Sequence, residues 1–302
     1  MTTSPPSFTM EATGFRKKFN PGRSLLLCGL IGSLFWLTGC ANGIFYQPSR
    51  RMAPAPDQRG LRYEPLRFQS SDGVTLHGWW LPAEGETKGT VLHFHGNAEN
   101  MSTHVQFADW LPAAGYHLMV FDYRGYGASE GRPTRTGLIR DGLAALEVAG
   151  RRADAEDTPL FVWGQSLGGT VALQSMMRSG VKVNAALIDS TFSSHGRIAA
   201  DKMKQFPWFL QPLRLFRPLF VSSSYDARDA VVRLQELPLL FIHGEEDRVI
   251  PPSHSRKLQR LAPGHSQLWI IPQAGHCSAV LRFPEQVRPV ILRFFENNSP
   301  KP

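Results

Sequence analysis

The stretch from Pro159 to Met177, PLFVWGQSLGGTVALQSMM, limits what this chain can fold into more than any other. It opens on a continuous apolar run, Leu160 to Trp163, of the kind a parallel strand covered on both faces requires. It closes on a segment with helical spacing and no proline. Between them, Gly164-Gln165-Ser166-Leu167-Gly168 fits a nucleophile elbow, a strained turn that lifts a serine hydroxyl above the sheet edge. Larger side chains at Gly164 and Gly168 would collide where strand and helix meet so sharply. The pentad alone is a weak signal. A strand before it, a helix after it and matching partners downstream give it weight.

The flanking sequence alternates strand and helix patterns, which predicts an α/β fold: a mostly parallel sheet with helices on both faces. An antiparallel pair is expected first, Leu66 to Gln69 and Val74 to Leu81 about the turn Ser71-Asp72-Gly73. Further strands are predicted from Gly89 to Gly96, His117 to Phe121, Ala185 to Ile188, Leu239 to Ile242 and Leu268 to Ile271. Helices are predicted over Met101 to Ala113, Pro133 to Ala149 and Glu285 to Phe295. The domain is placed at residues 65–299. From about 192 to 232 the alternation lapses into an aromatic, proline-broken and arginine-dotted segment. That reads as a helical excursion over the sheet, or as a short lid lining an apolar acyl pocket or touching a membrane.

The N-terminus carries targeting information rather than fold. A basic cluster (Arg16, Lys17, Lys18, Arg23) precedes an apolar run from Leu25 to Leu37 and then Leu37-Thr38-Gly39-Cys40. The run is too short to span a bilayer comfortably, which takes about 20 residues, and suits a signal peptide over residues 1–39. Its ending resembles a bacterial lipobox, which implies acylation of Cys40, palmitate included, as the first residue of a mature lipoprotein. An ordinary signal peptide or an uncleaved anchor is the competing reading. In proteobacterial lipoproteins an Ala after the cysteine, here Ala41, implies sorting to the outer membrane. The expected location is therefore the cell envelope, on the periplasmic side of that membrane in a Gram-negative cell. Residues 40–64, rich in proline and arginine, read as an extended tether between anchor and domain.

Charge and cysteine content exclude several classes. The chain of 302 residues carries 33 Lys and Arg against 25 Asp and Glu. The leader holds four of the bases and one of the acids, so the remainder is only mildly basic. No Lys/Arg block or aromatic-basic interleaving points to nucleic acid. Of three cysteines, Cys28 lies in the leader, Cys40 in the lipobox, and Cys277 alone remains, so no disulfide framework can form. Cys277 reads as a small core residue, although its neighbour His276 makes a reactive thiol conceivable. No nucleotide-binding loop is present, and no metal or cofactor is expected.

A serine hydroxyl needs a base to take its proton, and the base needs a carboxylate to fix its tautomer. In this arrangement the order along the chain is Ser, acid, His. Asp247 follows the strand Leu239 to Ile242, in the loop region where open α/β sheets bind ligands. His276 follows the next strand, in Gln273-Ala274-Gly275-His276. The expected set is Ser166 as nucleophile, His276 as base and acid, and Asp247 as orienter. Glu245, Glu246 and Asp189 compete for the acid role, and Asp122 reads as a turn-stabilising group. The oxyanion of the transition state needs two preorganised donors. They are expected to be the backbone N–H of Leu167 and that of Asn97, with Ala98 second to Asn97.

His95-Gly96-Asn97-Ala98, Asp122-Tyr-Arg-Gly-Tyr-Gly127, Gly164-Gln-Ser-Leu-Gly-Gly169, His243-Gly-Glu-Glu-Asp247 and Gly275-His276 together resemble the α/β-hydrolase superfamily. The likeness runs in order from Leu66 to Phe295. It is nearest to the membrane-associated branch with acyl-protein thioesterase-like and monoacylglycerol lipase-like members. It implies a serine hydrolase of the carboxylesterase, lipase or thioesterase kind, acting through an acyl-enzyme on a small-molecule or lipid substrate. The alternative is a non-catalytic α/β-hydrolase scaffold that binds a ligand or partner in the envelope. Within the enzyme class, peptidase, dehalogenase and epoxide hydrolase are weaker readings, the latter two because the families they resemble place aspartate at the elbow, where this chain has Ser166.

Overall fold

The computed structural model describes residues 46–204, 224–262 and 264–300. The leader, Cys40 and much of the expected lid (205–223) lie outside the described residues. Eight strands form one sheet: β1 (Glu64–Gln69), β2 (Thr75–Leu81), β3 (Gly89–Phe94), β4 (Tyr116–Phe121), β5 (Leu160–Gln165), β6 (Ala185–Asp189), β7 (Leu239–Gly244) and β8 (Gln267–Ile271). Their order across the sheet is β8-β7-β6-β5-β3-β4-β2-β1. The hairpin β1–β2 pairs antiparallel, β2 joins β4 antiparallel, and every other pairing is parallel.

Successive residues of the central strands serve opposite cores, which is why these strands read as continuous apolar runs. Leu92 and Phe94, Val162, Ala186 and Ile188, and Leu239 and Phe241 face a core shared with the helices α1 (Arg135–Ala155) and α2 (Leu167–Met176). Their neighbours Val91, Phe161, Trp163, Ala185, Leu187, Leu240 and Ile242 face a second core. That core is closed by Val287, Ile291, Phe294 and Phe295 on one stripe of the last helix, Pro284–Asn297. Phe161 and Phe295 stack across it with ring centroids 4.6 Å apart.

Three parts of the chain differ from the sequence expectation. The helix predicted over Met101 to Ala113 is a single turn, Met101–His104, followed by 3₁₀ turns at Val105–Phe107 and Pro112–Ala114. Pro112 has no N–H to continue an α-helix. α3 (His195–Met203) lies in the segment read as a helical excursion, whereas α4 (Ser253–Leu261) is a helix the sequence pattern did not predict. The third concerns the expected tether of residues 40–64. Its described part lies against the domain: Tyr46 and Pro56 are buried, and Gln47–Pro48 pairs in parallel with Ala98–Glu99. An extended proline-rich segment exposes backbone N–H and C=O groups, and here they find an edge to bond.

Candidate active site

β5 delivers Ser166 onto a turn with φ 53° and ψ −116°, and α2 starts at Leu167. A non-glycine residue in that region is strained and persists only where its surroundings over-determine it. Here they do. The Ser166 N–H donates to the Asp189 carbonyl at 2.8 Å, which ties the turn to β6. A Cβ on Gly168 would stand 2.1 Å from the Phe94 carbonyl oxygen, and one on Gly164 would stand 2.6 Å from Gly169 Cα. Both glycines are therefore required by close backbone approach.

β7 and β8 run parallel, so the loops after them leave from the same sheet edge as the Ser166 turn. His276 lies 3.0 Å from Ser166 Oγ through Nε2 and 2.7 Å from Asp247 Oδ2 through Nδ1. An ionised carboxylate can only accept, so Nδ1 carries the proton and the Nε2 lone pair faces the serine hydroxyl. The other Asp247 oxygen, Oδ1, accepts from the N–H groups of Val249 and Ile250, each at 2.8 Å. Burial pushes the Asp247 carboxyl up, but hydrogen bonds from His243 and His276 outweigh it and hold the group well below the usual carboxylate range.

Among the rival acids, Glu245 and Glu246 are exposed. Asp189 is buried, and its oxygens accept from Gln165 Nε2 at 3.0 Å and Ser190 Oγ at 2.9 Å. Asp122 is fully buried and accepts from the Met101 N–H at 2.7 Å through Oδ1. In the same turn Arg124 pairs with Asp141 and Asp72.

The Gly96–Asn97 loop lies beside the serine, since a Cβ on Gly96 would sit 3.7 Å from Ser166 Cβ. Asn97 Oδ1 accepts from Tyr126 Oη at 3.0 Å and from the Gln47 N–H at 3.3 Å. Ala98 is exposed, and its carbonyl accepts from His104 Nε2 at 2.9 Å. Leu167, the first residue of α2, is buried.

One contact was not foreseen from the sequence. His243, given no role in the sequence analysis, is fully buried and puts Nε2 3.2 Å from Asp247 Oδ2 and 2.8 Å from the Ile250 carbonyl. Its position four residues before Asp247 at a strand end was the available signal. Cys277 Sγ stands 3.7 Å from His276 Nε2. Burial raises that thiol well above its usual pKa, in keeping with a small core residue. Among the described residues no cluster of three His, Cys, Asp or Glu side chains could hold a metal, and no helix is long and apolar enough to cross a membrane.

The family model described as serine aminopeptidase, S33 matches residues 85–230. The Escherichia coli K12 protein YfhR is 34% identical over 244 residues, covering 79% of this chain and 81% of YfhR. The α/β-hydrolase domain-containing protein WAV2 of Arabidopsis thaliana is 31% identical over 256 residues, 82% of each chain. The chain belongs to the α/β-hydrolase family. Solved structures agree on the fold of this hydrolase. A Pyrococcus furiosus esterase superposes with a TM-score of 0.68 at 20% identity, over 84% of this chain and 98% of its own. A soluble variant of monoglyceride lipase from Saccharomyces cerevisiae gives 0.61 at 18% identity, over 85% and 99%.

Proposed function

We propose that this α/β-hydrolase cleaves an ester, thioester or amide acyl bond through an acyl-enzyme on Ser166. The observation that carries the reading is the single imidazole of His276 bridging the Ser166 hydroxyl and the Asp247 carboxylate, at 3.0 and 2.7 Å. As Ser166 Oγ attacks the acyl carbon, its proton passes to His276 Nε2, and Asp247, still ionised, stabilises the imidazolium. The N–H groups of Leu167 and Asn97 receive the oxyanion. Collapse of the tetrahedral intermediate breaks the bond to the leaving group, which takes the proton from Nε2. Water then attacks the acyl-Ser166 carbonyl while His276 accepts its proton. Release of the acid returns that proton to Ser166.

The resemblance of Leu37-Thr38-Gly39-Cys40 to a lipobox supports a lipid anchor at Cys40. The enzyme would then act at an envelope membrane, on a small-molecule or lipid acyl substrate. Incorporation of an alkyne-tagged fatty acid, lost in Cys40→Ser, tests that part.

A fluorophosphonate probe tests the chemistry. The reading expects one adduct, on Ser166, and loss of p-nitrophenyl acetate hydrolysis in a folded Ser166→Ala variant. No adduct on the folded protein would favour the non-catalytic scaffold. Hydrolysis surviving in Ser166→Ala would move the site elsewhere.

A further inference from the structure

The segment just before the hydrolase domain is bonded, residue after residue, to the loop that carries Asn97. The Gln47 N–H donates to Asn97 Oδ1 at 3.3 Å, and Gln47 and Pro48 pair with Ala98 and Glu99. The Ser49 N–H donates to the Glu99 carbonyl at 3.2 Å. Asn100 answers from the other side, its Nδ2 donating to the carbonyls of Ser49 at 3.0 Å and Arg51 at 2.9 Å. Two residues further on, the Ala53 N–H donates to Ser102 Oγ at 2.7 Å.

What these bonds hold is a loop that contains a strained residue. Glu99 sits at φ 62°, a conformation a residue with a side chain adopts at a cost and keeps only when neighbours over-determine it. Asn100 caps the single helical turn that follows, its Oδ1 accepting from the Ser102 N–H at 3.0 Å. Tyr126 supplies a further tie through its hydroxyl on Asn97 Oδ1 at 3.0 Å. The Ser49 carbonyl accepts from the Gly127 N–H at 2.9 Å, so the segment is clamped between the Asn97 loop and the Tyr126 turn.

We infer that Gln47 to Arg51 form a positioning strap for the oxyanion loop, and that acyl transfer at Ser166 depends on them although they touch no reacting atom. The inference rests on the proposed role of the Asn97 N–H. A misplaced oxyanion donor weakens the transition state and leaves substrate binding largely alone, so the strap acts on kcat rather than on KM. In the sequence Gln47 comes only seven residues after Cys40, so the chain that would bear the lipid leads straight into this loop.

Ser49 offers a test because its N–H reaches Glu99, whereas its hydroxyl accepts only from the exposed Arg51 N–H at 3.3 Å and touches nothing in the Asn97 loop. In the full chain, Ser49→Pro removes that donor and Ser49→Ala keeps it. With p-nitrophenyl acetate, Ser49→Pro is expected to lose about 10- to 100-fold in kcat with KM within about twofold, the scale of a small misplacement of reacting groups. Ser49→Ala should match the parent. Asn100→Asp, which keeps the cap on the Ser102 N–H and loses the two donors to the Ser49 and Arg51 carbonyls, should lose about three- to tenfold in kcat, and it decides the matter if Ser49→Pro does not fold. Unchanged kcat in folded Ser49→Pro and Asn100→Asp overturns the inference, as does a rise in KM with kcat intact. A parent that neither takes the fluorophosphonate label nor hydrolyses ester removes the proposed function and the strap with it. An active parent with fully active variants removes the strap alone.

Discussion

His276 and His243 both reach the same oxygen of Asp247: His276 donates through Nδ1 at 2.7 Å, while Nε2 of His243 lies 3.2 Å away and shares its one proton with the nearer Ile250 carbonyl at 2.8 Å. The first contact sets the tautomer that faces Ser166. The second comes from a ring with no solvent exposure whose other nitrogen, Nδ1, lies 2.7 Å from Ser255 Oγ. His243 therefore acts on the carboxylate from behind, with no contact to substrate.

His243→Ala should lower kcat about tenfold, because the carboxylate loses one of the donors that fix its rotamer. It should also cost about 2 kcal/mol of stability, since the Ile250 carbonyl and Ser255 hydroxyl lose their partner in a buried place. Steady-state kinetics and urea unfolding of the same preparation check both.

Asp247 makes acid stability predictable in sign. Its folded pKa is depressed, first against burial and then by the hydrogen bonds from His243 and His276. Its contribution is thus fully present above the unfolded value of about 4 and is lost as pH falls below that value toward the lower folded pKa. Urea unfolding of the parent and of Asp247→Asn should differ by a constant amount from pH 7 to about 5, with the gap narrowing below about 4. In the same variant kcat should drop about 10⁴-fold, since an amide no longer enforces the Nδ1–H tautomer.

Gly168→Ala would press a methyl group to within 2.1 Å of the Phe94 carbonyl oxygen. Backbone does not yield there as a flexible side chain would. A loss of about 3 kcal/mol in urea unfolding is expected, together with a fall in activity as the Ser166 turn is displaced.

Cys277 gives a negative control. Its thiol is buried, and burial pushes its pKa up, so little thiolate exists to react near neutral pH. In a chain with Cys28→Ser and Cys40→Ser, a disulfide dye should register no thiol in the native protein and one after denaturation.

The parts of the fold that were legible in the sequence are those whose side chains announce them. Leu160 to Trp163 and Leu239 to Ile242 are buried on both faces and read as uninterrupted apolar runs. The Ser166, Asp247 and His276 positions followed from loops at strand ends. α4 was not legible, because the buried positions of SHSRKLQRL are His254, Ser255 and Leu258, two of them polar. The Gln47–Pro48 pairing with Ala98–Glu99 was hidden for a different reason: it is made by backbone groups, which every residue but proline carries alike. His243 was passed over because its place at a strand end, four residues before Asp247, is a weak signal beside the competing carboxylates Glu245 and Glu246.

A trapped intermediate tests the central claim most directly. The protein is mixed with excess p-nitrophenyl acetate, quenched in acid within the first turnover, and its peptides are mapped by mass spectrometry. The account predicts a burst of about one equivalent of nitrophenol, the stoichiometry of an acyl-enzyme, with the acetyl group on Ser166 and none in Ser166→Ala. Hydrolysis with no acylated serine, or with the acetyl group on another residue, would contradict it.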